Sequence, residues 1–428
     1  MVRDSRGVLD PGHMPHDRLD ETLRAEVAAL REAGTAKGSE AVITGVEPAR
    51  EGLGPRFRLE GSEQAYLKMN SNSYLGLSRH PAVVGAEEAA TREFGAGPGA
   101  VRFISGTYRA HLDLEDGLAR FHGRDAAMIF SSAYATVVST LGSLVSPETA
   151  VLSDELNHNC IINAIRMARP ISREVYPHLD YSTLDTQLTA AAGSAKRVVV
   201  ITDGVFSMRG DFADLSALME LARRHDGDFD EGVAVVVDDS HGVGAFGATG
   251  RGTEEVTGSG KVDVLIGTLG KAFGVNGGYV TGTRALIDYL REKAPMYIYS
   301  NPITVGEAAA AAAAVSVADS GEGLALLTHL AAMTAKFESG LMDLGFETIP
   351  GPHPVVPLMV RDTETTSALV KHLFDNGVLA TGLNYPVVPK GDEEIRFQVN
   401  ADHTEADIDH VLEVLAGFPG TGRDRPAS

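Results

Sequence analysis

The sequence predicts an α/β fold: a large, mostly parallel sheet domain with helices on both faces, followed by a smaller C-terminal α+β domain. Three observations carry that expectation. Two short apolar runs, Val233–Val237 and Val262–Ile266, are continuous rather than alternating, as strands buried on both faces of a parallel sheet are. Strand-like and helix-like segments alternate over about residues 75–282, the pattern of helices crossing back over a sheet. Each apolar run also ends in polar residues, Asp238-Asp239-Ser240-His241 after the first and Thr268 and Lys271 after the second. In open α/β sheets, ligand chemistry sits beyond the carboxyl ends of the strands.

Residues 1–15 are polar, contain Pro11 and Pro15, and are expected to be disordered. Residues 17–33 place Leu19, Leu23, Val27 and Leu30 on one helical stripe. A lone amphipathic helix needs a surface to pack on, either a second subunit or its own domain. Tyr66–Met69 reads as a strand, 70–77 as a loop and 82–94 as a helix. Gly95–Ala100 is a turn, and Pro98 lacks the amide that a dinucleotide loop needs there. Residues 109–121 form a helix with Leu112, Leu114, Leu118 and Phe121. Ala126–Phe130 is a strand, followed by the small-residue turn Ser131–Ala135 and an apolar helix from about 136 to 144. Such a turn at a helix start makes an anion site, because the first amides of a helix are free; a simple serine N-cap accounts for it equally well. Ala150–Leu152 is a strand ending in Ser153–His158, with a helix over 163–168. Val198–Ile201 is a strand ending in Thr202–Ser207, with a helix over 214–224. Gly278–Gly282 returns as an antiparallel strand, and Tyr297–Pro302 is irregular. Helices over about 303–318 and 324–342, strand Val355–Val360, helix 366–376, strand Ile395–Asn400 and helix 404–416 make the smaller domain. The partition expected is 1–62 for tail, helix and arm, 63–302 for the large domain and 303–428 for the small one.

A chain of 428 residues is long enough for two or three domains. Its apolar content of 43% and charged content of 22% are those of a globular protein. A net charge of −21 argues against a nucleic-acid or anionic-membrane partner. The one cysteine, Cys160, allows no intrachain disulfide and fits a reducing, cytoplasmic setting. The opening residues contain no apolar run of the signal-peptide kind, and Ala308–Ala314 is too short to span a bilayer.

An aspartate and a lysine delivered to one rim of a sheet suit pyridoxal phosphate. The amine makes the Schiff base and the carboxylate holds the pyridinium nitrogen. Taken singly, each residue has an ordinary reading: Lys271 as a solvated lysine, Asp238 as a helix cap or metal ligand. Gly242–Gly247 matches G-x-G-x-x-G, but polar residues separate it from the strand, and Ala248-Thr249-Gly250-Arg251-Gly252 breaks a helix rather than starting one. Gly267–Lys271 is two residues short of a P-loop and continues with Ala272.

Eight ordered stretches resemble the α-oxoamine synthases, fold-type-I pyridoxal-phosphate enzymes that join an amino acid to an acyl thioester. They are NSNSYLGLSRHP (70–81), VRFISGT with His111, SDELNHNCIINAIR (153–166), TDGVFSMRGDFADL (202–215), VVVDDSHGVGAFGATGRGT (235–253), IGTLGKAFG (266–274), IYSNP (298–302) and IRFQVNADHT (395–404). VRFISGT, TDGVFSM and IYSNP are most similar to the glycine C-acetyltransferase branch. The resemblance implies that Lys271 is the Schiff-base lysine and general base, that Asp238 pairs with the ring nitrogen, and that His241 and Ser207 lie near the ring hydroxyl. It implies that His158 stacks on the ring and that the Ala133 and Tyr134 amides, with Thr268, hold the phosphate. Ser300 would reach the phosphate of the cofactor in a second subunit, making a homodimer with shared sites. Asn72 and Arg396 would bind the amino-acid carboxylate, and no metal is implied.

The chain departs from the family pattern at His158-Asn159-Cys160, where His-Ala-Ser is usual. It departs again at Val275-Asn276, where a small pair is usual, and at Ala135-Thr136-Val137, where Asp-Ala-Asn is frequent. The cofactor constellation survives these changes, but the substrates stay open. The expected reaction condenses a small amino acid, glycine first, with an acyl-CoA to give a 2-amino-3-oxo acid or its decarboxylated aminoketone. The alternatives are a carrier-protein thioester as donor, an aminotransferase or aldolase of the same fold type, a nucleotide-binding oxidoreductase using Gly242–Gly247, and a noncatalytic binding protein.

Overall fold

Runs of valine and isoleucine dominate the middle of the chain, and the structure folds them into one sheet whose carboxyl edge carries the polar residues. The computed structural model describes residues 16–419 apart from Gly34, Lys37, Ser39 and Pro386, so the polar tail 1–15 lies outside the described residues. Helix α1 (Asp17–Glu32) leads to an antiparallel arm of β1 (Ile43–Glu47), β2 (Arg56–Leu59) and β3 (Ala65–Lys68), then to α2 (Pro81–Phe94) and α3 (Arg109–His122). The central region runs β4 (Ala126–Phe130), α4 (Ala133–Leu144), β5 (Thr149–Asp154), α5 (Asn159–Ala168), β6 (Ser172–Tyr176), α6 (Tyr181–Ala191), β7 (Arg197–Asp203) and α7 (Leu215–His225). It continues with β8 (Val233–Asp238), α8 (Thr253–Thr257), β9 (Val264–Thr268) and β10 (Gly278–Gly282). Then come α9 (Arg284–Lys293), α10 (Pro295–Ile298), α11 (Val305–Ala318), α12 (Gly321–Asp343), β11 (Glu347–Thr348), β12 (Val355–Met359), α13 (Thr363–Asp375), β13 (Val378–Leu379), β14 (Thr381–Leu383), β15 (Glu394–Gln398) and α14 (Glu405–Ala416).

The large sheet has the order β4-β10-β9-β8-β7-β5-β6. Strand β10 is antiparallel to both its neighbours, and the remaining pairs are parallel. Alternate residues of the inner strands enter opposite cores. Val199, Ile201, Val236, Val264 and Ile266 pack with α4, α5 and α9, while Val198, Val200, Val235, Val237 and Leu265 pack with α6 and α7. Both faces are therefore apolar, which is why the sequence runs are continuous, and each such side chain contributes about 1.5–3 kcal/mol over exposure.

The second sheet, β11-β12-β15-β14, is antiparallel. Ile395 and Phe397 of β15 enter the core formed with α12, α13 and α14, so the alternating Glu394, Arg396 and Gln398 lie on its other face. Strand β13 pairs parallel with β3, joining the N-terminal arm to the C-terminal region. Helix α11 packs through Ala308, Ala311 and Ala314 into the core that holds Val83 of α2 and Leu114 and Leu118 of α3. Alanines suit that close approach: a Cβ on Gly306 would lie 2.4 Å from Thr91 Oγ1 of α2.

The strand expected at 262–266 begins two residues later. The Val262 amide donates to Glu254 and Asp263 accepts from the Val235 amide, so both are spent on side-chain bonds before the ladder starts. The α5 helix begins at Asn159, four residues before the expected start, because His158 caps it. Strand β6 and helix α6 carry no strong sequence pattern; β6 is a largely exposed edge strand. Among the described residues no single helix is long and apolar enough to cross a membrane.

Candidate active site

The carboxyl ends of β5, β7, β8 and β9 and the start of α4 converge on one cavity. Its space is about 370 Å³, and Ala133, Tyr134, His158, Cys160, Asp203, Val205, Ser207, Asp238, Ser240, His241 and Lys271 line it. Seven of the residues singled out from the sequence, from Ala133 and Tyr134 to His241 and Lys271, thus meet in one place. Ser132 caps α4 by accepting the Ala135 amide at 3.1 Å. The Ala133 and Tyr134 amides precede the first intrahelical bond and remain available for an anion. Strand β10 presses on this turn: a Cβ on Gly278 would sit 2.4 Å from the Ala133 nitrogen.

Lys271 opens on the cavity and makes no hydrogen bond or ion pair with the described residues. Burial pulls its pKa down to about 8, although Asp238 and Asp203 oppose the shift. Asp238 is buried at the end of β8. Its Oδ1 accepts from the Ser240 hydroxyl at 2.6 Å and the Ser240 amide at 3.2 Å, while its Oδ2 has only the Cys160 thiol at 3.7 Å. That second oxygen is left for a stronger donor, and a protonated pyridine nitrogen is one. Burial and then Asp238 raise the Asp203 carboxyl well above the usual range; its Oδ2 accepts the His158 amide at 2.9 Å and so fixes the α5 cap. His158 Nδ1 accepts the Cys160 amide at 3.2 Å and lies 2.9 Å from the Cys160 sulfur.

Burial, followed by Lys271, keeps His241 well below the usual imidazole range, so its ring is neutral. His241 Nδ1 lies 2.7 Å from the Tyr74 hydroxyl, and the His241 carbonyl accepts from His353 Nε2 at 3.0 Å. Neither Asn72 nor Arg396 is in the cavity wall: Arg396 touches it at Ser207, and Asn72 is linked to it through the Tyr74 hydroxyl, 3.5 Å from its Oδ1. Arg396 donates to the Ser207 carbonyl at 3.2 Å, and its Nε is buried without a partner. Asn72 Oδ1 accepts from Gln398 at 2.6 Å. Thr268 is buried at the end of β9, where its hydroxyl donates to Gly277 and accepts from the Gly270 amide. Ser300 stands outside the cavity in the exposed loop after α10.

Sequence reasoning missed Asp203 and Ser240 as site residues, although both sit at strand ends it had marked. Tyr74 adjoins the marked Asn72, and Gln398 shares the face of Arg396 by strand alternation. His353 carries no sequence signal. The segment Gly242–Gly252 wraps the Asp239 carboxylate and does not open a dinucleotide helix. Thr253 donates its amide and hydroxyl to Asp239, each at 2.7 Å, and a Cβ on Gly242 or Gly252 would lie within 2.2 Å of an Asp239 oxygen.

These residues fit pyridoxal phosphate. A free amine and a half-satisfied carboxylate face one space, with helix-start amides at one end for a phosphate.

The aminotransferase class I and II family model matches residues 64–415. The chain is 38% identical to a mitochondrial 2-amino-3-ketobutyrate coenzyme A ligase of Mus musculus over 414 residues, 96% of this chain and 95% of that one. It is 39% identical to an 8-amino-7-oxononanoate synthase of Thermosipho melanesiensis over 348 residues, 81% of this chain and 86% of that one. A serine palmitoyltransferase from S. paucimobilis, solved with a bound PLP–myriocin aldimine, shares the fold with a TM-score of 0.83 and 24% identity, covering 94% of this chain and 98% of that one. Matched along nearly its whole length and built around a lysine–aspartate cavity, the chain belongs to the aminotransferase class I and II family and, within it, to the α-oxoamine synthases, fold-type-I acyltransferases that depend on pyridoxal phosphate.

Proposed function

We propose that the chain joins a small amino acid, glycine first, to the acyl group of an acyl-CoA, releasing the thiol and giving a 2-amino-3-oxo acid or its decarboxylated aminoketone. The observation that carries this reading is the free Lys271 amine facing the open Oδ2 of Asp238 across one cavity. The mouse relative's name, which describes a ligase of 2-amino-3-ketobutyrate and coenzyme A, supports the choice of substrates.

Pyridoxal phosphate, when bound, accepts the electron pair left at the amino-acid Cα. Asp238 would keep a proton on the ring nitrogen; opposite charges about 4 Å apart are worth roughly 4 kcal/mol at an effective dielectric near 20. The Ala133 and Tyr134 amides and Thr268 would hold the cofactor's phosphate, and His158 would cover its ring. Arg396, with its unpaired Nε, and Asn72 orient the substrate carboxylate. Lys271, whose pKa burial lowers to about 8 so that part of it is neutral near physiological pH, would take the Cα proton. The Cα–acyl carbon bond would form as the carbonyl carbon–sulfur bond breaks, and the leaving thiolate would depart as thiol with the proton held by Lys271. Two copies would form the working unit, with Ser300 of each reaching the phosphate bound by the other.

The test is thiol release from an acyl-CoA panel with and without added amino acids. Release that depends on an amino acid supports the reading. Conversion of the cofactor to its amine form by an amino donor alone, with no thiol release, identifies an aminotransferase instead.

A further inference from the structure

A second cavity opens beside the first and shares His158 and Ser207 with it. It offers about 390 Å³ between the loop after β7 and the segment before β15, and about 1080 Å³ with the solvent-open space in front of it. Leu156, Phe206, Met208, Met359, Val387 and Val388 give it apolar walls. Polar residues, among them Glu155, Asn157, Arg209 and Asp392, share the wall, and one of the polar groups is left unsatisfied. Glu394 is 2% exposed, yet its Oε1 has no hydrogen-bond partner among the described residues. A carboxyl buried without a bond costs stability unless something occupying the cavity supplies one. It stands two residues before Arg396 on the same face of β15, one strand step from the group assigned to the substrate carboxylate.

We propose that this cavity receives the acyl chain of the donor and that Glu394 selects donors bearing a neutral hydrogen-bonding group, a hydroxyl or an amide, along an otherwise apolar chain. The inference rests on the acyltransferase reading above and names its acyl substrate class. Burial pushes the Glu394 carboxyl up to about 8, against the pull of Arg396 and Arg209, so near neutral pH it is mostly protonated. In that form it both donates and accepts, as a hydroxyl or amide requires. A donor ending in a carboxylate would have to shed its water beside charged wall residues that, Glu394 apart, are two acids, Glu155 and Asp392, to one base, Arg209, and is disfavoured. An acetyl group is too short to use the space.

The experiment measures kcat/KM for straight-chain acyl-CoAs of intermediate length against their hydroxyl-, amide- and carboxylate-bearing counterparts, with amino acid at saturation. It is run on the wild-type holoenzyme, Glu394→Gln and Glu394→Leu. The wild type should favour hydroxyl or amide donors over plain chains of equal length by about tenfold or more. That ratio should persist in part in Glu394→Gln and collapse in Glu394→Leu. Because Leu removes an unsatisfied group, Glu394→Leu should also melt at a higher temperature than the wild type. Equal ratios in wild type and Glu394→Leu, a wild-type preference for plain or carboxylate chains, or a lower melting temperature in Glu394→Leu would overturn the proposal. Absence of amino-acid-dependent thiol release with every donor is a separate outcome, which rejects the acyltransferase reading and this proposal with it.

Discussion

Two residues decide how the site behaves with pH and with substrate. Lys271 has a pKa near 8 because burial outweighs the attraction of Asp238 and Asp203. Its neutral, nucleophilic fraction therefore grows as pH rises toward and through that value. The association rate of pyridoxal phosphate with cofactor-free enzyme should climb from pH 6.5 to about 8 and level off above it, as stopped-flow absorbance would record. Lys271→Ala should lose the visible band of the bound cofactor. A flat profile would mean that the amine is not the limiting group. Arg396 presents a fork that a lysine cannot reproduce. Arg396→Lys should raise KM for the amino acid about 10- to 100-fold, corresponding to a lost bidentate bond, while changing KM for the acyl-CoA little. A change confined to the acyl-CoA would place Arg396 elsewhere in the reaction. Lys271, Asp238 and His241 were legible in the sequence because each follows a buried strand by a few residues. His353 and Glu394 were not, because each becomes a site neighbour only when the second sheet docks on the first.

At the scale of elements, strand ends and helix starts do the positioning, and two contacts expose how tightly. Strand β10 lies against the first turn of α4, where a Cβ on Gly278 would meet Ala133 N at 2.4 Å and Ala133 Cα at 2.5 Å. Gly278→Ala should cost about 1–3 kcal/mol of stability through overpacking and weaken cofactor binding, because the displaced turn carries the Ala133 and Tyr134 amides proposed to hold the phosphate. Equilibrium dialysis and thermal melts read both effects. The second contact is His178, whose Nδ1 lies 3.1 Å from Asp154 at the end of β5 and whose Nε2 lies 3.2 Å from Asp211 after β7. Burial opposes its charge, but the bonds to Asp154 and Asp211 prevail and raise it to about 9. A folded pKa above the unfolded value of about 6.5 means that the stabilisation is complete below pH 6.5 and is lost as pH rises through about 9. The wild type should lose about 1–3 kcal/mol over that window, and His178→Gln should lose much less. The central strands were legible from their continuous apolar runs. Strand β6 was not: at the sheet edge its side chains need not be apolar, so Ser172–Tyr176 carries little pattern. The start of β9 was misplaced because Asp263 spends its carboxylate on a neighbouring strand, a long-range bond that no local window contains.

For the whole molecule, the exposed apolar surface is the feature that one chain does not account for. Leu19, Leu23, Val27 and Leu30 of α1 stay exposed, and no residue of that helix is buried. Phe103, Ile104 and Tyr299 are 64–81% exposed, although the loops that carry them are firmly held. Arg102 pairs with buried Glu115 through two contacts of 3.2 Å and stacks 5.4 Å from the Tyr297 ring, while Arg291 reaches both Glu115 and the Tyr297 hydroxyl. Buried ion pairs that fix two apolar loops in an outward position fit a preformed interface better than a solvated surface. The second of these loops also carries Ser300, which the family resemblance turns toward the cofactor of a second copy. Association and cofactor retention should therefore fail together. In solution the wild type should have twice the mass of one chain by light scattering. Phe103→Glu combined with Tyr299→Glu should halve that mass, keep the far-ultraviolet circular dichroism of the wild type, and release pyridoxal phosphate on dilution. A wild type that is monomeric and still retains its cofactor would show each site to be complete within one chain, and Ser300 would then have no part in it.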